Sequence, residues 1–250
     1  MIENEWRTLE RGLESPHLPR NHPLQAVLES AFSDRGAASS GSGDREAREY
    51  WGPARYGLDR SERFSRLDPE GRRAVLLRLT ELNLALSYYI EKSGHHFASK
   101  MILASETTEE KTLYALFAAE EATHLRLFMN EMWFAPTLET HFHPILPALS
   151  DAIAWGTRDS LVFVIQVLLE GFGISHYSGL KDSCENPRLR EAFRSILKDE
   201  SRHHGAGLIL AKSRRPDAET ADQVFELSRR FIRSLESAHW IPSSFAAAGV

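Results

Sequence analysis

The chain has 250 residues, 42% apolar and 26% charged, with a formal net charge of −5, enough to bury a sizeable core as one domain and without a basic footprint for nucleic acid. A single cysteine, Cys184, excludes an intramolecular disulfide and an iron site held by four cysteines. No run is read as approaching membrane-spanning length and the start, Met1-Ile2-Glu3-Asn4-Glu5-Trp6, is charged, so the expectation is a soluble cytoplasmic protein with no membrane partner.

Taken in order, residues 1–68 read as an N-terminal helical extension. One short helical pattern surrounds Trp6, Leu9 and Leu13 and another runs from Pro23 to Phe32 behind Asn21. Residues 33–47, rich in Ser, Gly and Ala, have the composition of a flexible linker, with a lid as the other reading. A first long helix is predicted over 69–103, opened by Asp68-Pro69, and a second over 108–134, stopped by Pro136. The stretch 136–156 carries Pro144 and Pro147 and is long enough to cross from one end of a helical body to the other. A third helix begins near Asp159, a fourth spans Pro187 to about Lys212, and Pro216 restarts a fifth with the stripe Val224, Leu227, Phe231 and Leu235. Residues 69–240 form the helical body and 241–250 a tail.

The chemistry is written in a repeat. Glu121 and His124 are three apart, as are Glu200 and His203, so each pair shares one helix face. Thirty residues before each of these glutamates stands another, Glu91 and Glu170, so the pattern recurs at an offset of 79 residues. Midway in each interval lies a turn signal: Thr107 with Glu110 as a capping box, and Asn186-Pro187 as cap and first turn. In two antiparallel helical hairpins all four glutamates then come to one level. Four carboxylates and two imidazoles from four helices are the ligand set of a two-metal site. Without cations, four buried carboxylates would repel one another and suffer a large desolvation penalty. Mixed carboxylate and imidazole donors suit iron or manganese better than zinc.

On these residues the chain resembles the ferritin-like di-iron carboxylate proteins, over roughly 69–212. The run Asp199-Glu200-x-Arg202-His203 is similar to that of soluble desaturases and bacterial multicomponent monooxygenases; Glu120-Glu121-x-x-His124 is looser, with Thr123 where those families often have Arg. The resemblance implies an all-α fold, a ferritin-like four-helix bundle with a long crossover between helices two and three, here with extra N-terminal helices and a fifth C-terminal helix. It implies two Fe ions, or a Mn/Fe pair, held by Glu91, Glu121, His124, Glu170, Glu200 and His203, with O2 as co-substrate. The expected function is an oxygenase or oxidase acting on a small, largely apolar organic substrate, free or carrier-bound, by hydroxylation, desaturation, N-oxidation or C–C cleavage. An electron donor and a homodimer are expected with it. The alternative is iron oxidation or peroxide detoxification in the manner of ferritin or rubrerythrin. The long N-terminal region and Glu-x-x-His in both halves favour the oxygenase. A metal-free helical interaction module would leave the four buried acids unexplained.

Around the ligands, Gly94 and Gly173 each lie three residues after a glutamate, where the other two helices carry histidine. Mid-helix glycine costs about 1 kcal/mol relative to alanine, which suggests room for a substrate cavity or close helix packing. Tyr88, Tyr114, Phe117, Phe163 and Phe172 lie within two turns of the ligands and line that cavity or fill the core. His95 and His204, four residues after a ligand glutamate, are candidate extra ligands. Some N-oxygenases of the resembling families place their extra histidine where this chain has Ile196. Asp199 and Glu120 are candidate acceptors that fix the tautomer of a ligand histidine, and Gln166 a polar contact one turn before Glu170. Phe128 stands where a radical-storing ribonucleotide reductase subunit keeps tyrosine.

Overall fold

The computed structural model describes residues 13, 15, 17–34, 46–213, 216–236, 244–246 and 249, and among these it is all-α. The one β feature among them is an isolated bridge pairing Trp51 with Cys184. The helical pattern around Trp6 and Leu9, most of the linker and most of the tail lie outside the described residues.

Seven helices carry the argument: α1 Pro23–Asp34, α2 Pro69–Ala104, α3 Thr108–Glu131, α4 Ile145–Trp155, α5 Arg158–Ser183, α6 Pro187–Ser213 and α7 Ala218–Glu236. Their starts follow local chemistry. Asp68 accepts from Gly71 N at 2.7 Å ahead of Pro69. Thr107 Oγ1 accepts from Glu110 N at 3.2 Å, and the Glu110 carboxylate accepts from Glu106 N at 3.2 Å. Asn186 Oδ1 accepts from Arg188 N and Leu189 N at 2.9 and 3.1 Å. Helix α3 ends at Glu131, short of the predicted 134, because Met132 is already extended and Trp133 turns off to pack edge-on against Tyr50.

The elements pair as two hairpins. In the first, Phe97 meets Tyr114 at 5.8 Å between ring centroids while Glu91 meets His124 at 3.0 Å, the register of an antiparallel pair. Helices α5 and α6 form the second, α3 packs on α6, and α7 lies on α4 and α5. The predicted crossing stretch contains α4, whose C-terminal carbonyls Ile153 O and Gly156 O accept from Lys100 Nζ at 2.6 and 3.0 Å. The N-terminal segment straps the first hairpin: Lys92 Nζ donates to Ser15 O at 2.9 Å, His17 Nε2 meets the Tyr88 hydroxyl at 2.6 Å, and Arg126 pairs with Glu29 while lying over Phe32. Trp51, fully buried, donates its indole N–H to Leu180 O at 2.9 Å.

Two features of α5 depart from expectation. Val162–Leu169 is a π-helix inside it rather than α. Four β-branched side chains in that run (Val162, Val164, Ile165 and Val167) crowd an α-turn, and a wider turn relieves them. Arg158–Ser183 is also long and apolar enough to cross a membrane by length and composition, contrary to the reading that no run approaches that length; here it carries Glu170 at its middle and packs against α6 and α7.

Helices α5 and α6 touch backbone to backbone at Gly207, where a Cβ would collide with Gln166 Cβ and come within 3.2 Å of its carbonyl carbon. Backbone cannot yield cheaply, so Gly207→Ala is expected to lower unfolding free energy by about 1–3 kcal/mol. Chemical denaturation checks this; an unchanged midpoint would mean the two helices do not lie so close.

Candidate metal centre

Glu91 from α2, Glu121 and His124 from α3, and Glu200 from α6 are all buried, and each offers a ligand atom within 4.8 Å of those of the others. This cluster can hold a metal ion. Helical period does the placing, since Glu121 and His124, three apart, are forced onto one side of α3.

His203 is buried on the far side of the same carboxylates. Its Nδ1 lies 3.2 Å from Glu121 Oε1 and 3.8 Å from Glu200 Oε1. His124 Nδ1 lies 3.8 Å from both Glu121 Oε2 and Glu200 Oε1, and 3.0 Å from Glu91 Oε2. Glu121 and Glu200 therefore stand between two imidazoles. Glu170 and His203 lie outside the four-residue group; the field of Glu170 reaches Glu121, Glu91 and His203, and its Oε2 is enclosed with no hydrogen-bond partner among the described residues.

The outward nitrogens are tied down in a crossed pattern. His124 Nε2 bonds Asp199 Oδ2 at 3.1 Å and His203 Nε2 bonds Glu120 Oε2 at 2.8 Å. Each acceptor directly precedes the ligand-type glutamate of the opposite helix. Arg202 holds both, at 2.6 Å from Glu120 and 2.5 Å from Asp199. Carboxylates that take the Nε2 protons leave Nδ1 as the nitrogen that faces the centre.

Burial works against charge here and the partners decide the outcome. Burial pushes Glu91 up to about 7, with the His124 bond opposing it. Burial, then neighbouring carboxylates, push Glu200 well above the usual carboxylate range; burial does the same to Glu170. Glu121 goes the other way, because hydrogen bonds from His124 and His203 overcome its burial. Burial would lower both imidazoles, yet bonds to Asp199, Glu121 and Glu91 hold His124 well above its ordinary value, and bonds to Glu120 and Glu121 raise His203 to about 10. Without an ion the cluster is thus held together by protons. A divalent cation would supply the same positive charge to Glu91, Glu121, His124 and Glu200 and displace those protons.

The other predicted site residues fall in several places. The room at Gly94 is taken by Glu121, whose carboxylate carbon would lie 2.7 Å from an added Cβ, so this glycine makes space for a ligand side chain rather than a substrate. Gly173 is buried, and an added Cβ there would meet nothing within 4 Å. Phe117 lies against the His203 ring at 4.0 Å between centroids. Tyr114, fully buried, donates to Gln166 Oε1 at 2.7 Å, and Gln166 Nε2 donates to His203 O at 3.2 Å, so Gln166 bears on the backbone of α6. Tyr88 points its hydroxyl at His17 of the N-terminal strap. Phe163 and Phe172 are 41% and 38% exposed, the second packed on Phe231; neither is enclosed by the core as expected. His204 Nδ1 donates to Gln166 O at 2.8 Å, a carbonyl of the π-helical stretch. His95 sits edge-on to His96, half-buried.

Sequence reasoning passed over Tyr177. Buried, it donates its hydroxyl to Glu91 Oε1, and burial together with Glu91 keeps it protonated. It stands seven residues after Glu170, two turns along the same face, and that spacing was the available signal. Comparison with family models, with curated proteins and with solved structures gave no match to this chain.

Two outcomes follow from these contacts. Gly94→Ala is expected to leave the fold intact, since the obstructing atoms end a flexible side chain, and to weaken Mn2+ binding by roughly tenfold or more, the loss expected of a displaced ligand; calorimetric titration at wild-type affinity would refute it. Glu91, Glu170, Glu200, His124 and His203 hold protons more tightly folded than unfolded. Their contribution to stability is complete below their unfolded pKa values and is lost as pH rises through the folded ones; Glu121 acts in the opposite sense, on the acid side. Thermal stability of metal-free protein should therefore fall as pH rises to about 7 on account of Glu91 and on to about pH 10 on account of His203, and saturating Mn2+ should flatten the profile. A metal-free Tm that holds or rises over that window would contradict this.

Proposed function

We propose that the chain is a ferritin-like di-iron protein that uses O2 to oxidise a small, largely apolar organic substrate. The observation that carries the reading is the crossed repeat: two Glu-x-x-His faces set against each other, each imidazole backed by the carboxylate that precedes the other face's glutamate. Glu91, Glu121, His124, Glu170, Glu200 and His203 would hold the two ions. The two hairpins joined through the stretch that contains α4 fit a ferritin-like four-helix bundle with its long crossover. A bound pair of Fe2+ ions supplies two electrons to O2.

Around that pair the protein's own groups have definite tasks. Arg202 keeps Asp199 and Glu120 aligned on the two imidazoles. Tyr177 holds Glu91 by one oxygen and leaves the other facing His124. Phe117, Phe128 and Tyr177, all buried, keep bulk water from the carboxylates. The open space beside buried Gly173, one turn beyond Glu170, is where a substrate fits. An external electron donor belongs to this reading: the substrate and the ferrous pair together would supply the electrons that reduce O2 to water, and the oxidised pair would then have to be reduced before the next turnover.

Anaerobic titration should load about two Fe2+ per chain, and admitting O2 should consume it with a transient change in the visible spectrum. Glu121→Ala and Glu200→Ala should each abolish stoichiometric loading. Gly173→Leu should keep the iron yet stop substrate oxidation. An iron load that grows far beyond the ligand stoichiometry would favour storage, and no tight iron at all would end the di-iron reading.

A further inference from the structure

Beneath α7 lies a second feature, a half-open apolar pocket of about 370 Å³, at the small end of ligand-site sizes. Val162 and Phe163 from the π-helical stretch of α5 form its floor and Leu210 from α6 one side. Its roof is the α7 stripe Ala221, Val224 and Ser228, spaced by three and four residues so that all face inward. None of the six carboxylate and imidazole residues lines it. The pocket therefore stands apart from the metal centre, and its occupancy does not depend on the function proposed above.

Three observations define what fits. The lining is apolar except for a few groups, so the body of the ligand is apolar. Ser228 Oγ is enclosed without a hydrogen-bond partner among the described residues, so one polar atom of the ligand has somewhere to go. The charged side chain among the described lining residues, Asp159, already has its carboxylate bonded by Arg158 at 2.6 Å. An anionic headgroup would face that carboxylate, and a cationic one would be desolvated beside an acid already neutralised. Phe163 and Phe225, 41% and 71% exposed, put aromatic surface at the opening.

We propose that this pocket binds a small neutral molecule with an apolar body and a single hydroxyl or carbonyl that bonds Ser228. At ~30 Å³ per heavy atom the volume takes roughly a dozen such atoms, the size of a medium-chain alcohol.

The test is displacement of the neutral dye Nile red from the full-length chain, with and without metal. Decanol is expected to displace the dye saturably, and decanoate at neutral pH to do so at least roughly tenfold less well. Ala221→Trp, which drives an indole into the pocket from an exposed helix position, should weaken decanol by about tenfold with an unchanged circular dichroism spectrum. Ser228→Ala should weaken decanol by about fivefold while leaving propylbenzene, which has no polar atom, unaffected. Failure of decanol to displace the dye, equal binding of decanoate, or wild-type affinity in a folded Ala221→Trp protein would each overturn the proposal. Should Ala221→Trp fail to fold, the Ser228→Ala comparison decides alone: equal losses for decanol and propylbenzene, or none for decanol, overturn it.

Discussion

Three buried carboxylates, Glu91, Glu121 and Glu200, lie in the field of a fourth, the half-buried Glu170, and everything else at the centre of this molecule follows from how their mutual repulsion is answered. Each acid taken from water loses hydration that no apolar neighbour replaces. Part of the answer lies in two imidazoles set between them, with Glu121 taking bonds from both. Part lies in protons kept on Glu170 and Glu200. Neither is complete, as the unmatched oxygen of Glu170 shows. A cation can answer Glu91, Glu121 and Glu200 at once with His124 beside them, which is why the cluster reads as a binding site and not as a costly way to join helices.

The halves of the site are alike in ligand order and unlike in support. The second half carries Arg202 between its glutamate and histidine; the first carries Thr123, whose hydroxyl turns back to Ala119 O at 3.0 Å within its own helix. One guanidinium therefore serves both histidines, gripping Glu120 and Asp199 together. Both bonds leave from Nη2, whose two N–H groups lie in the guanidinium plane and so point in fixed directions. Support for His124 and His203 is thus tied through a single side chain, half-exposed at the rim, while Tyr177 is tied only to Glu91.

Much of this was legible in the sequence because helices convert spacing into direction. Glu-x-x-His fixes a face, an interval of thirty residues around a capping signal fixes a level, and proline, Asp68, Thr107 and Asn186 fix where helices begin. What spacing does not encode is which neighbour a face meets. Gly94 and Gly173 occupy matching places, yet one is filled by the Glu121 carboxylate and the other opens on space. Tyr88 and Tyr114 were indistinguishable by register, but Tyr88 turns to the N-terminal strap and Tyr114 to Gln166. The strap reaches the hairpin through contacts of different kinds from Leu13, Ser15, His17 and Glu29, spaced without a helical period, so they leave no periodic trace. The π-helix is hidden for another reason: in an almost unbroken apolar run, a wider turn leaves no polar position out of place.

That wider turn also bears on how His203 is held. In an α-helix each carbonyl is claimed by the amide four residues on; a π-turn alters that pairing and allows a side chain to bid for the group. At Gln166 the bidder is His204 Nδ1, the residue next to His203, while the Gln166 side chain bonds the carbonyl of His203 itself. Gly207, one turn later on α6, permits the approach that makes both bonds reachable. The position of His203 is therefore set from α5 as much as from its own helix, and Tyr114 on α3 fixes the other end of the same amide. Helices α3, α5 and α6 meet in that one glutamine, so the π-helical stretch acts as the joint that brings His203 into register with the cluster.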